Sequence, residues 1–165
     1  MAPLVAVKKV TREEVTPAKV VRRFRVIFNA VRTHFRQLEK EVGLGGAQVW
    51  ALSIIADHPG IGMGDIAEAM DIHQSTASNL VKALQKKDLI AVDKSLEDRR
   101  SVCIKLLPSG RKLLAKVQGP FSGVLPTALE ELDPAILKRL DKDLDALIRA
   151  LHADESAAEI PLANL

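Results

Sequence analysis

The fold is decided by residues 65–110, which read DIAEAMDIHQSTASNLVKALQKKDLIAVDKSLEDRRSVCIKLLPSG. Apolar residues recur at helical spacing in the first half of this stretch and fall into short strand-like runs in the second half. The pattern predicts a short helix over 62–70, a tight turn over 71–73, a helix over 74–87, a strand over 89–93, a polar hairpin tip over 94–100 and a strand over 101–106. Helix, turn, helix and hairpin in this order predict a winged helix-turn-helix.

Two more helices are predicted on the N-terminal side of this unit. Pro17 suits the first position of a helix, and apolar residues recur at helical spacing from there to about Glu41. Three glycines at 43, 45 and 46 end this helix, and a second helix is predicted over 47–57.

Helical periodicity returns after the hairpin, around Pro108. Gly119-Pro120 and Pro126 are expected to bend or interrupt it, because proline lacks a backbone donor. Asp133-Pro134 is typical of a helix start, and the last helix carries a strong apolar stripe between Ile136 and Leu151. Such a stripe, outside a unit that is already closed, favours packing against a partner subunit over packing within the monomer.

The fold class is therefore mainly α with a small β-wing: a winged helix-turn-helix with long N- and C-terminal dimerisation helices. We expect five parts: an N-terminal arm over 1–16, a dimerisation helix over 17–46, a winged helix-turn-helix DNA-binding domain over 47–107, C-terminal dimerisation helices over 108–153 and a frayed tail over 154–165.

Composition excludes several classes of protein. A length of 165 residues favours one globular unit, and 47% hydrophobic with 27% charged residues is ordinary for such a unit. The single cysteine, Cys103, excludes a disulfide framework and a multi-cysteine zinc site. No apolar run approaches the roughly 20 residues that a membrane helix needs, and we expect a cytoplasmic protein without a membrane segment.

Catalysis and metal binding are not indicated. His34, His58, His73 and His152 are scattered, and none has the spacing of a metal site. There is no nucleophile motif and no glycine loop that would hold a phosphate. We expect neither an enzyme nor a bound cofactor or metal.

Charge is distributed unevenly along the chain. Residues 1–40 carry a net charge of +7 and residues 71–112 carry +4, whereas 41–70 and 113–165 carry −4 each. Two basic blocks separated by acidic ones suit a protein with one side facing nucleic acid. Charge alone would favour solvated helix faces, so the assignment of a nucleic-acid-facing side depends on the motifs.

The predicted helix over 74–87 has a polar face suited to DNA. Its apolar positions leave hydrogen-bonding side chains on the opposite side, and we assign DNA contact to Gln74, Ser75, Thr76, Ser78, Asn79 and Lys82. Glutamine and asparagine amides can each pair with adenine in the major groove, and the helix N-terminus favours phosphate. The predicted partner is double-stranded DNA.

The chain resembles the MarR family of bacterial transcription regulators. The similarity lies in residues 65–70, 74–81 and 84–90, and above all in DRRSVCIKLLPSG at 98–110, which is similar to the family's wing motif. It extends over about residues 17–151. The resemblance implies a homodimer on a pseudo-palindromic operator, with wings in flanking minor grooves, and a cleft for a small anionic or aromatic effector.

Three residues depart from the family pattern. Asp88 stands where the family usually has glycine, Leu107 replaces a threonine cap, and His73 replaces a small N-cap residue. None removes the predicted DNA face, but the helix boundaries beside them are affected.

The wing tip and the cleft supply the remaining site predictions. Arg99 and Arg100 are expected to contact phosphate or the minor groove, with Asp98 orienting one of them. The alternative is a solvated turn. His34, Phe35 and Trp50 are candidates for lining the effector cleft, although Trp50 also suits the core. Cys103 is expected on the outer face of the second strand and to be inert.

The sequence thus predicts a DNA-binding transcription regulator, namely a ligand-responsive repressor. The alternative is a winged-helix protein-interaction module that no longer binds DNA.

Overall fold

The computed structural model describes residues 14–97 and 101–164. This part of the chain forms seven α-helices, a two-stranded sheet and two short 3₁₀ helices. In chain order they are α1 (Pro17–Val42), α2 (Gly46–Asp57), α3 (Met63–Met70), α4 (Gln74–Lys86), β1 (Ile90–Lys94), β2 (Val102–Leu106), α5 (Pro108–Leu114), α6 (Val124–Glu130), α7 (Pro134–Leu151) and the 3₁₀ helices Glu155–Glu159 and Leu162–Asn164.

The core lies around α2, which has apolar side chains on nearly every side. Leu52 and Ile55 of this helix are fully buried. Ile66 of α3, Leu84 of α4 and Ile104 of β2 are also fully buried and belong to the same cluster. Because helices and hairpin share one core, α3, α4 and the wing are held in a fixed relation to each other.

The predicted helix starts are confirmed by their caps. Thr16 Oγ1 accepts a hydrogen bond from the Lys19 amide at 3.3 Å, and Pro17 occupies the first turn of α1. Asp133 Oδ1 accepts from the Ala135 amide at 2.8 Å at the start of α7. Both caps satisfy amides that have no partner inside the helix.

The helix after the wing is interrupted, as predicted. α5 ends at Leu114, and α6 begins after Gly123, whose φ of 107° is accessible to glycine without strain. The expectation that Pro126 would break the helix is wrong. Pro126 lies in the first turn of α6, where a missing amide hydrogen costs no intrahelical bond.

α7 carries an apolar stripe that the described part of the chain leaves partly exposed. No residue of α7 is buried. The exposed apolar side chains are Ile136, Leu137, Leu144, Leu147, Ile148 and Leu151. α1 shows a similar set over its first half: Val20, Val21, Val26, Ile27 and Phe28.

The expectation of a frayed tail is wrong for residues 154–164, which we call the C-terminal segment. It forms two 3₁₀ helices, and the second of them packs against the rest of the protein. Pro161 is buried, and Ala163 packs against the main core. The helix Leu162–Asn164 contacts both α1 and α2. The chain therefore returns from α7 to the body of the molecule.

Candidate nucleic-acid interface

α4 presents a polar face because its apolar face is used for packing. Ala77, Leu80, Val81 and Leu84 are buried, and the helix contacts α2 and α3. Ser75, Asn79 and Lys82 are exposed and lie at i, i+4 and i+7, so they share one face of the helix. This exposed face contains hydrogen-bonding groups and a cation, and α4 carries no acidic residue.

The other predicted contacts on α4 lie beside this face. Gln74 is exposed at the first position of the helix. Thr76 and Ser78 are half-buried, so less of each hydroxyl side chain is open to a ligand. The structure thus brings all six predicted residues onto one helix but divides them into an exposed set and a partly covered set.

The turn before α4 fixes the angle at which the helix is presented. Asp71 ends α3 in the left-handed region with a φ of 52°, and the Ile72 amide donates to the Ala67 carbonyl at 3.0 Å. Such a C-cap allows the chain to reverse within three residues before α4 begins.

His73 precedes α4 without capping it. Its side chain makes no hydrogen bond to the first turn. The amides of that first turn have no partner within the helix, and together with the helix dipole they make its end attractive to an anion. The His73 ring instead pairs through Nδ1 with the carboxylate of Glu159 in the C-terminal segment.

The wing is a regular antiparallel hairpin anchored to the core. Ile90 pairs with Leu106, and the register continues to Lys94 opposite Val102. Ile61, which follows α2, forms a bridge with Ile104: the Ile104 amide donates to the Ile61 carbonyl at 3.0 Å. Periodicity did not reveal this third, single-residue strand, because one residue has no period.

The outer face of the wing follows the predicted alternation. Asp93 and Cys103 lie opposite each other, and Cys103 is half-exposed. Lys105 on the same face and Lys94 at the strand end are exposed cations that were not predicted to contact DNA. Their positions in the two strands could have identified them, because strand alternation places Lys105 on the same face as Cys103. Asp98, Arg99 and Arg100 lie outside the described residues, so their assignment stays a prediction.

The predicted effector residues are only partly brought together. The rings of His34 and Phe35 meet edge to face with centroids 5.3 Å apart, and His34 Nε2 lies 2.9 Å from the Pro120 carbonyl oxygen. Phe35 is buried and lies under Gly46 and Gly123, where a Cβ at either glycine would collide with its ring. Trp50 is half-buried against the main core. The assignment of an effector cleft stays a prediction.

Other kinds of site are not indicated in the described ranges. Residues 14–97 and 101–164 contain no group of three histidine, cysteine or acidic residues placed to hold a metal ion. Over the same ranges, no helix has the length and apolar character needed to cross a bilayer.

Comparison with known proteins places these features in one family. The MarR family model matches residues 46–102, which run from the start of α2 through the wing tip to β2. A protein of Thauera aromatica described as a transcriptional regulatory protein for the hcr operon is 33% identical over 130 residues, which cover 73% of this chain and 78% of the relative. The chain belongs to the MarR family. It is a transcription regulator, as the sequence predicted.

Solved structures agree with the fold of this MarR-family chain. MepR of S. aureus in complex with DNA has a TM-score of 0.57 and 25% identity, with 84% of this chain and 99% of MepR covered. Sco3205, a MarR family regulator from Streptomyces coelicolor in complex with DNA, has a TM-score of 0.57 and 21% identity, with 90% of this chain and 95% of Sco3205 covered. The predicted mainly helical fold with a β-wing is confirmed.

The departures from the MarR pattern now have a structural account. Asp88 adopts a φ of 54°, in the left-handed region that glycine enters freely and that aspartate also tolerates. Leu107 makes no side-chain cap, so Pro108 at the first position of α5 is the main helix-start feature there. The hydroxyl of Ser109 donates to the Asp88 carbonyl and thus connects α5 to the start of the wing.

Proposed function

We propose that this MarR-family regulator binds a pseudo-palindromic operator in double-stranded DNA as a homodimer. One observation carries the proposal: α4 buries its apolar face and exposes Ser75, Asn79 and Lys82 in one row. Amide and hydroxyl groups on such a face can hydrogen-bond to base edges, and lysine can neutralise phosphate. The related MepR and Sco3205 structures are DNA complexes.

Dimerisation supplies the symmetry that such an operator requires. The proposed domains are the dimerisation helix over 17–46, the DNA-binding domain over 47–107 and the C-terminal dimerisation helices over 108–153. The uncovered apolar stripes of α1 and α7 support this division. A two-fold dimer places its two α4 helices on half-sites about one helical turn apart.

We further propose that the chain acts by binding rather than by catalysis, and that a small-molecule effector changes its affinity for DNA, most simply as a repressor. The Thauera aromatica relative is described as a transcriptional regulatory protein. The His34 ring contacts that of Phe35, and Phe35 lies under Gly46 at the first position of α2, which supports an effector site where the dimerisation helix meets the DNA-binding domain.

The alternative is a winged-helix module that binds protein. A surface that had lost DNA binding would be free to acquire acidic or apolar residues. The exposed face of α4 instead lacks acidic residues, which favours DNA.

Selection of duplexes from a random pool by the purified protein tests the proposal. The expected result is enrichment of a pseudo-palindrome, followed by a gel shift with the enriched duplex. Ser75→Glu should abolish the shift because it places a carboxylate on the exposed face. Gln85→Glu adds the same charge at the far end of α4 and should weaken binding much less. If no duplex is enriched from the random pool even at low salt, the result would favour the protein-binding alternative.

A further inference from the structure

The C-terminal segment is built as an ordered return from α7. Asp154 begins it by accepting a hydrogen bond from the Ser156 amide at 3.0 Å. The side-chain and backbone hydrogen bonds from Ser156 hold the pKa of Asp154 below its usual value. The segment is then anchored by the buried Pro161 and by Ala163, which packs on the core beside α1 and α2.

Between its start and its anchor, the segment reaches the N-terminal end of α4. Glu159 pairs with His73, the residue that immediately precedes α4. Glu159 and Gln74 line the same shallow groove of about 370 Å³ at the α3–α4 turn. Glu68 and Asp71 also line it, so three carboxylates and one imidazole share this groove.

This placement conflicts with DNA binding by α4. A phosphate attracted to the amides of the first turn of α4 must approach beside His73 and Gln74. The carboxylate of Glu159 already lies at His73, and two negative groups at one helix end repel each other. Glu159 also shares the lining of this groove with Gln74, which is a predicted base contact.

We propose that the C-terminal segment is an autoinhibitory contact that competes with operator DNA for the N-terminal end of α4. This inference rests on the proposed function, because it assumes that α4 binds DNA. The segment must move away from His73 when a phosphate arrives. The free energy needed to displace the segment therefore reduces the measured affinity of the protein for DNA.

The strength of the contact suits a competitor that DNA can displace. The side chains of His73 and Glu159 are 60% and 41% exposed, so solvent screens their attraction. Exposed ion pairs of this kind change an equilibrium by a factor of about five at most. The packing of Pro161 and Ala163 further stabilises the docked position of the segment and does not involve α4.

The first test compares two charge-neutralising variants of the full chain. Glu159→Gln should raise affinity for the selected operator duplex about two- to fivefold. Glu155→Gln removes the same charge from an exposed position of the segment that lies beside α7 rather than α4. Equal gains from both variants, or a gain from neither, would overturn the inference, since general electrostatics would then account for the result.

The second test follows the segment itself by hydrogen exchange. The amides of Ile160 and Asn164 donate to the carbonyls of Ala157 and Pro161 at 3.1 and 2.9 Å. They should be protected in the free protein and exchange faster when the duplex is saturating. Unchanged protection on DNA would overturn the inference, as would no protection in the free protein.

DNA binding by α4 and autoinhibition by the C-terminal segment are separated by the outcome of these tests. A protein that binds no duplex in any variant would overturn the proposed function, and this inference with it. A protein that binds its operator while Glu159→Gln behaves as Glu155→Gln would overturn the inference alone.

Discussion

Gln74 and Asn79 are predicted base contacts whose amides can pair with N6 and N7 on the major-groove edge of an adenine, whereas Lys82 neutralises phosphate. Gln74→Ala or Asn79→Ala should therefore cost about 1–3 kcal/mol at operator DNA and less at random DNA. Gln85→Ala removes an amide about 16 Å beyond Gln74 and about 9 Å beyond Asn79 along the helix, and it serves as the matched control. Anisotropy titrations on both duplexes measure the difference. Equal losses on both would assign the two residues to the DNA backbone.

Arg99 and Arg100 are predicted to supply electrostatic contacts at the wing tip, between the described ends of the hairpin. Loss of one phosphate contact per subunit should flatten the plot of log affinity against log salt by about 2 per dimer. Arg99→Ala and Arg100→Ala are compared at several salt concentrations with Lys138→Ala, which removes an exposed cation from α7. Thermal melting is recorded in parallel. Slopes equal to that of the unmodified protein would exclude the wing tip, and a collapsed melting temperature would indicate an ion pair with Asp98.

The residues of the α4 face were predictable because helical spacing alone decides which side chains lie opposite the buried stripe. The pairing of His73 with Glu159 was not predictable in this way. The two residues are 86 positions apart, and both are polar and exposed, so no periodic pattern records their contact. The left-handed backbone at Asp88 was predictable only in part. The sequence identified Asp88 as a residue that replaces the family's usual glycine, but it did not predict the conformation of the backbone there.

At the scale of elements, Gly110 sets how closely α5 approaches the wing. A Cβ at this position would collide with the Leu89 carbonyl oxygen and lie 2.7 Å from the Leu106 side chain. Gly110→Ala should destabilise the protein by about 1–3 kcal/mol, because the wing and α5 must separate. Gly64→Ala in α3 meets nothing within 4 Å and should stabilise by about 0.5–1 kcal/mol. Denaturant unfolding compares the two, and similar effects would contradict this account of Gly110.

Element types followed from the sequence more closely than element contacts did. The predicted helices and strands are present within one or two residues of their expected ends, because caps and breakers such as Asp133-Pro134 act locally. The Ile61–Ile104 bridge and the return of residues 154–164 depend on three-dimensional proximity. Local patterns carry no information about either.

At the scale of the whole molecule, the uncovered stripes of α1 and α7 should be buried between two subunits. Replacing Leu144 and Leu147 by glutamate should give monomeric or insoluble protein, since an unpaired charge is costly to bury in such an interface. Leu96→Glu, at a fully exposed position in the wing loop, should leave the oligomeric state unchanged. Light scattering measures both. A compact monomer for the unmodified protein would contradict the proposed dimer.

α7 has no buried residue of its own, although its apolar stripe is one of the strongest in the chain. Packing within one subunit leaves this helix without a buried side chain, and the proposed dimer would supply that burial. Where folding and association are coupled in this way, the free energy of unfolding depends on the concentration of the protein. For the proposed dimer, dilution therefore favours unfolding, and the melting temperature depends on the protein concentration at which it is measured.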